Sequence, residues 1–353
     1  MKRIISFLSA CALLATACDN NIAPQKENVI DNGQELMPVS LQIKGISTKA
    51  TSELSTEEKI DDLQVFVYTM KSDGTKEYDS YYSFGADNSS RTIFIDKARK
   101  DITYWIAAYA NHPKIEIAES LADWSLLSNE SSSRFQMAGY SQEKATDIMS
   151  AGKVEIDLIR QCSKVSVKEI AVDWTNTANR YKTFTLKSMY LMDVPGVVKN
   201  YFDLDPDVVS DHSLWQNRNG YASGSQDALL YDSISDADVT EEASYTIDHF
   251  FYGYLDPSTI YNSTSSWAPG GTRLVIAAEF DGEPCYYAVA LNGVNGGTVY
   301  DDLRNMHIEF NKITITRPGA SAPYEALPDE SAIAVSVSVQ PWQPGFSGNY
   351  TIQ

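Results

Sequence analysis

Ile333-Ala334-Val335-Ser336-Val337-Ser338-Val339-Gln340 alternates apolar with small or polar residues without a break. Successive side chains of a strand point to opposite faces, so Ile333, Val335, Val337 and Val339 share one face, and Ala334, Ser336, Ser338 and Gln340 the other. The stretch reads as a half-buried strand. Working back toward the N-terminus, further strand-like runs lie at Met306–Ile315, Tyr286–Leu291, Leu274–Phe280, Tyr245–Tyr254 and Phe184–Leu191. Before them come Val165, Val167 and Ile170, then Val154, Ile156 and Leu158, then Ile102–Tyr109, Thr92–Ile95, Tyr78–Phe84 and Leu63–Tyr68. The first is Val39, Leu41 and Ile43, alternating with Ser40, Gln42 and Lys44. Turn formers such as Ser72-Asp73-Gly74 and Gly85-Ala86-Asp87-Asn88 separate the runs. One helical spacing stands out, Ile117, Leu121 and Trp124, and the polar stretch 203–238 reads as loop with room for one short helix. Frequent short strands without a βαβ rhythm predict a mostly β chain of antiparallel β-sandwiches with a few short helices.

The chain has 353 residues, more than one core of about 250–300 residues usually serves, so two domains are expected. Arg160-Gln161-Cys162-Ser163-Lys164 interrupts the alternation and places the boundary, giving domains 37–161 and 162–353. Composition is that of a folded protein, 43% hydrophobic and 21% charged, which sets aside collagen-like, low-complexity and wholly disordered classes. A formal charge of −19 repels a phosphate backbone, so no nucleic-acid partner is expected. Tyr numbers 21 against 4 His and 4 Cys, a stock better suited to strand and contact surfaces than to catalytic or metal sites.

Met1-Lys2-Arg3 is basic, and Ile4–Leu14 is an apolar run too short to span a bilayer but right for the core of a signal peptide. Leu14-Ala15-Thr16-Ala17-Cys18 then has the form of a lipobox, with 1–17 as the signal and Cys18 as the lipid-bearing (palmitoylated) residue. Leu8-Ser9-Ala10-Cys11 fits the local consensus better but leaves only Ile4–Phe7 as apolar core, so Cys18 is chosen; a plain secretory signal with an incidental Cys is the competing reading. Residues 18–36 read as a flexible tether. Cys162 and Cys285 sit in strand contexts and read as packed hydrophobes rather than a disulfide framework.

No zinc, phosphate-loop or dinucleotide motif occurs, and Gly220-Tyr221-Ala222-Ser223-Gly224 has the wrong spacing for a nucleophile elbow. The four His residues fall at no ligand spacing. Asp203-Leu204-Asp205-Pro206-Asp207 opens like a calcium loop, but Val208 and Leu214 stand where Gly and Glu are needed, so it reads as a solvated acidic loop. Carboxylates paired for hydrolysis meet only in space, and nothing local marks a pair. No enzymatic activity and no cofactor are expected.

Several stretches, in order, resemble landmarks of the fimbrillin family, subunits of the type V pili of Bacteroidales. They are Lys59-Ile60-Asp61-Asp62-Leu63-Gln64-Val65-Phe66-Val67-Tyr68, Phe135-Gln136-Met137-Ala138-Gly139 and the junction Leu158-Ile159-Arg160-Gln161-Cys162-Ser163-Lys164-Val165. Met189-Tyr190-Leu191-Met192-Asp193-Val194-Pro195, Phe251-Tyr252-Gly253-Tyr254, Leu303-Arg304-Asn305 and Trp342 follow. The resemblance covers the chain after the signal. It implies two tandem transthyretin-like sandwiches, export as a lipoprotein to the outer membrane, and assembly with other copies or related subunits into a surface fibre that adheres to host or bacterial ligands. In the family's shaft subunits a protease cuts after a basic residue, usually Arg, beyond the first strand. The matching place here is Lys49-Ala50, and a Lys lacks the bidentate guanidinium an Arg-selective protease reads. If uncut, the subunit would be a lipid-retaining anchor; Lys49 also reads simply as a solvated loop lysine.

Losing the first strand would expose a groove once filled by Val39, Leu41, Ile43 and Ile46, and a neighbour's strand could refill it. The candidate donor is Ile333, Val335, Val337 and Val339, unless that strand completes its own domain. The alternative function is a monomeric surface lipoprotein that binds glycan or protein through aromatic-bearing loops such as those of Trp215 and Trp267.

Overall fold

The computed structural model describes residues 25–27, 35–44, 56–86, 91–116, 124–175, 182–199, 215–218, 220, 227–257, 271–292, 299, 302–325 and 333–342. The first half comprises β1 (Gln25–Glu27), β2 (Leu36–Lys44), β3 (Asp62–Met70), β4 (Lys76–Gly85), β5 (Thr92–Asp96), β6 (Thr103–Ala110), β7 (Trp124–Leu126), β8 (Met137–Lys144), helix α1 (Ala145–Ala151), β9 (Lys153–Asp157) and β10 (Ile159–Arg160). The second comprises β11 (Ser163–Val167), β12 (Glu169–Val172), β13 (Phe184–Met192), β14 (Val197–Lys199), helix α2 (Asp227–Leu230), β15 (Tyr231–Asp238), β16 (Tyr245–Thr246), β17 (Phe250–Gly253), β18 (Arg273–Phe280), β19 (Glu283–Ala290), β20 (Met306–Ile315) and β21 (Ile333–Pro341).

Among the first-half strands, one sheet runs β1-β4-β3-β6-β8-β10 and a smaller one β5-β2-β9. Their facing side chains join one apolar cluster, with Val65, Val67, Tyr82 and Ile106 from the first and Val39, Leu41, Ile93 and Ile156 from the second. Tyr82 Oη ties the layers by donating to the Phe94 carbonyl at 3.2 Å and accepting its N–H at 3.0 Å. The second half repeats the plan with β16-β12-β20-β11-β17, β21 on the other side of β20, facing β15-β13-β18-β19. The chain passes from one set of sheets to the other between β10, paired with β8, and β11, paired with β17 and β20. The short pair β7–β14 bridges the halves.

The mostly β reading holds, with differences in detail. Not all pairing is antiparallel: β2 runs parallel to β9, and β11 and β12 run parallel to β20. A parallel pair needs a long connection between its strands, and all three are remote in sequence, where local alternation carries no directional signal. The helical spacing at Ile117 and Leu121 lies outside the described residues, and Trp124 opens a strand. The helix the pattern missed is α1, whose N-cap Lys144 offers no side-chain cap, although Gly152 ends it in the left-handed conformation at φ 65. Within the polar stretch 203–238, residues 231–238 form β15, which pairs with β13. The tether contains β1, paired with β4 at the sheet edge.

β3 is buried on both faces rather than one. Its second face, with Phe66 and Tyr68, joins Tyr81, Trp105 and Tyr109 in an aromatic layer on the far side of the sheet from the main core. Rings there meet edge-on or tilted, Phe66 to Tyr81 at 4.9 Å and Tyr68 to Trp105 at 5.6 Å. Four tyrosines, Tyr68, Tyr78, Tyr81 and Tyr109, belong to this layer.

Candidate assembly site: the first strand, the junction and the C-terminal strand

β2 is the middle strand of its sheet. Its first part pairs antiparallel with β5, Leu36 opposite Asp96 through Ser40 opposite Thr92, and its second part pairs parallel with β9, Ser40 opposite Lys153 through Lys44 opposite Asp157. Val39, Leu41 and Ile43 are buried while Ser40, Gln42 and Lys44 are exposed, as the alternation predicts. Burying these three side chains contributes on the order of 5–9 kcal/mol gross, at about 1.5–3 kcal/mol each. Cys18, Ile46, Lys49 and Ala50 lie outside the described residues, as does the acidic loop 203–207.

β21 is an edge strand, bonded only to β20 among the described strands. Its apolar face lies along β20: Ile333 opposite Ile315, Val335 opposite Ile313, Val337 opposite Phe310 and Val339 opposite Ile308. A one-residue bulge at Asn311 keeps the two apolar sets in phase. The four β20 partners are fully buried, whereas Ile333, Val335 and Val337 are half-buried. In this state the strand completes its own sheet.

Residues scattered through the sequence converge between these two strands. Glu57, from the 3-10 turn Thr56–Glu58, accepts through Oε1 from Lys164 Nζ at 2.7 Å and Tyr252 Oη at 2.7 Å, and through Oε2 from Trp342 Nε1 at 3.0 Å. Arg160 donates to the Glu57 carbonyl at 2.9 Å, the Trp342 carbonyl at 2.8 Å and Asn305 Oδ1 at 3.2 Å, and its guanidinium lies 4.6 Å from the Trp342 ring centre. Asn305 sits at φ 55, a backbone state Asn adopts more readily than most residues, and its carbonyl receives the Trp342 N–H at 2.6 Å. Trp342 also stacks on Tyr252 at 5.4 Å and meets Phe135 edge-on at 5.1 Å. Burial works to raise the Glu57 carboxyl, but the hydrogen bonds from Lys164, Tyr252 and Trp342 and the Lys164 charge outweigh it and hold the group below the usual carboxylate range.

A second buried group lies nearby. Glu130 Oε1 accepts from Tyr254 Oη at 2.8 Å and Gln136 Nε2 at 3.1 Å, and Oε2 from the Gln136 N–H at 2.9 Å. Burial pushes its carboxyl up to about 7 against those hydrogen bonds. Gly139 has its own reason: a Cβ there would stand 2.0 Å from the Asp157 carbonyl oxygen, so only Gly lets β8 approach β9.

Sequence patterns located both strands and many members of this cluster, but not Glu57, an acid in a polar stretch with no local mark. Cys162 and Cys285 are both buried and free. His307 is held by Ser166 Oγ at 2.9 Å, and burial lowers its basicity. Trp215 is buried, which removes it from the aromatic contact loops read from sequence; Trp267 is outside the described residues. Among the described residues no three His, Cys, Asp or Glu side chains gather as a metal set.

No protein-family model and no curated protein sequence matches the chain. Solved structures do. A "putative cell adhesion protein" from Parabacteroides distasonis is 16% identical, with a TM-score of 0.58 over 88% of this chain and 100% of that one. Another, from Bacteroides eggerthii, is 17% identical with a TM-score of 0.54 over 88% and 97%. A fimbrilin from Porphyromonas gingivalis is 16% identical with a TM-score of 0.55 over 87% and 98%. Identities this low speak for the backbone alone, and in its backbone the chain has the fold of a Bacteroidales fimbrilin.

Proposed function

We propose that the chain is a structural subunit of a cell-surface fimbria, made as a lipoprotein through Cys18 and joined head to tail to other copies or related subunits by exchange of a β-strand. The observation that carries this reading is the seat of β2, in the middle of a sheet and filled by Val39, Leu41 and Ile43, yet joined to β3 through the segment that contains Lys49 and Ala50. A cut there would free a central strand. It would leave an apolar slot with open hydrogen-bonding edges on β5 and β9, which an incoming strand fills by running antiparallel to the first and parallel to the second. β21 suits the donor role. It is an edge strand, and none of its residues from Ile333 to Pro341 carries a charge, in a chain of net −19. Donation of this kind is heterologous and does not close, so it builds a filament. The sheet membership supports an accepting unit over 37–161 and a donating unit over 162–353. The fold shared with a fimbrilin supports a non-enzymatic role in a surface fibre, anchored at the outer membrane by the Cys18 lipid and adhering to host or bacterial surfaces.

N-terminal sequencing of the surface-displayed form tests the reading. A start at Ala50 is expected for a shaft subunit; a start at Cys18 assigns the anchor. Cys18→Ser should release the protein from the membrane fraction, and release by Cys11→Ser alone would move the lipid to Cys11. A chain beginning at Ala50 should form detergent-resistant ladders on a gel. Failure to do so at any concentration discards strand exchange in favour of a monomeric binding lipoprotein.

A further inference from the structure

The strands β4, β3, β6 and β8 turn one face away from the main core, and their register lays that face out in rows. Lys76 stands opposite Met70, Met70 opposite Thr103 and Thr103 opposite Lys144, so four strands contribute to one row. In the next row Trp105 stands opposite Gln142, and Tyr140 follows two residues along β8. Alternation keeps all of them on one face. Tyr140 stacks on Trp105, ring centres 5.5 Å apart at 29°, and is 38% exposed. Lys76 Nζ lies 4.2 Å from the centre of the Trp105 ring. Gln142 and Lys144 are exposed and Lys76 is half-buried. Among the described residues, the loop after β6 reaches the far end of this face. There the Gln64 side chain donates to the His112 and Pro113 carbonyls and accepts the Ile115 N–H. Gln64 is six residues along β3 from Met70, about 20 Å away.

In a chain of net −19, the charged residues of these rows are both cations. Neither Lys76 nor Lys144 has a carboxylate at ion-pair distance among the described residues. The acids at neighbouring positions are engaged elsewhere, Glu77 with Lys71 at 3.6 Å, Asp79 with Arg99 at 3.7 Å and Glu143 with Ser141 Oγ at 2.8 Å. We propose that this face binds an acidic saccharide, with the Tyr140 ring as platform for a sugar and Lys76 and Lys144 as partners of its anionic groups. The inference rests on the reading of a surface-displayed adhesive subunit and names the class of ligand. The carbon–hydrogen face of a pyranose is apolar and slightly positive, which suits the negative face of an aromatic ring. The Gln142 amide both donates and accepts, as sugar hydroxyls do. Lys76 and Lys144 are three strand spacings apart, about 14 Å between backbones, so they match anionic groups on different sugars of a chain rather than on one ring. The Trp105 ring holds the Lys76 ammonium in place before a ligand arrives, which lowers the cost of ordering it. An apolar protein partner is served less well, because Tyr68 and Trp105 are each 3% exposed, already covered by their neighbours.

Calorimetric titration of the purified full-length chain with an oligomer of galacturonic acid tests the site. The methyl ester of the same oligomer keeps the rings and removes the charge, a short dextran sulfate replaces carboxylate by sulfate, and polyglutamate supplies charge without sugar. The acid oligomer is expected to bind, more weakly as salt is added and about tenfold or more weakly once esterified. Tyr140→Ala, Lys76→Met and Lys144→Gln should each weaken binding by about tenfold with the melting temperature unchanged. Tyr140→Phe, which keeps the ring, should recover most of what Tyr140→Ala loses. Tighter binding of dextran sulfate, with the same dependence on the three residues, keeps the site and assigns it sulfate as the anion. Absence of binding to both acidic saccharides, or equal binding of ester or polyglutamate, overturns the proposal. Binding that none of the three substitutions weakens overturns it as well, because the ligand then sits elsewhere. Gel ladders from the chain beginning at Ala50 judge assembly separately. Ladders without saccharide binding remove this site and keep the fibre, and binding without ladders does the reverse.

Discussion

At Glu130 the chain has placed a carboxyl among Gln136 and Tyr254 with almost no access to water. Its folded affinity for a proton exceeds that of the unfolded chain, so the folded form binds more protons between the unfolded value, about 4.3, and the folded one. Stability from this group is therefore full below about pH 4 and declines up to about pH 7, by on the order of 3–4 kcal/mol. His249 and His307, whose basicity is lowered by burial, act with the opposite sign in an overlapping window, gaining stability as pH rises to their unfolded value. The difference between wild type and Glu130→Gln isolates the carboxyl. Thermal melts of the two should draw together from pH 5 to pH 7.5 in favour of the variant, and parallel curves would mean that Glu130 is not the group titrating. Gly139 gives a simpler test. Gly139→Ala places a methyl against the Asp157 carbonyl, which is backbone and cannot swing aside, and denaturant titration should show a loss of about 2–4 kcal/mol.

At the scale of elements, β21 and β2 obey the same alternation yet have different fates. Val337 lies against Phe310, so Val337→Arg puts a charge on an apolar face and should lower the stability of the second half by about 1–3 kcal/mol. Ser336 is exposed, and Ser336→Arg should stay within about 0.5 kcal/mol. Equal effects in a chemical melt would place the strand in the other register, because a one-residue slip exchanges its faces. β2 has a neighbour on each side and a direction fixed by both. A synthetic peptide of Leu36–Lys44 added to a chain beginning at Ala50 should bind and raise its melting temperature. The same residues in reversed order should not, since parallel and antiparallel ladders place their hydrogen bonds differently.

At the scale of the whole molecule, the Glu57 and Glu130 groups each join residues that precede the passage from β10 to β11 to residues that follow it. Glu57 is the one to expect in acid-induced change. Its folded affinity for a proton is below the unfolded value, so its contribution is present above about pH 4.3 and is lost as pH falls through the folded value. Protonation removes the charge that Lys164 and the Trp342 indole share. Intrinsic fluorescence of Trp342, read as the difference between wild type and Trp342→Phe, should therefore change below pH 4 and stay constant from pH 5 to pH 8.

The amino-acid sequence by itself determined that this chain is built of short strands, which faces of Val39–Lys44 and Ile333–Gln340 are apolar, and in what order the landmarks of a fimbrilin-like fold follow one another. These are local properties, because a strand's side-chain period depends only on neighbouring residues. Three things were decided by tertiary structure: the parallel course of β2 beside β9, the burial of β3 on both faces, and the meeting of Glu57, Arg160, Lys164, Tyr252 and Trp342. Each depends on contacts between residues some 90 or more positions apart, or on a second layer covering a sheet. Glu57 shows the difference most plainly: within its own stretch it is one acid among several, and only the strands that close around it make it the partner of the chain's last buried tryptophan.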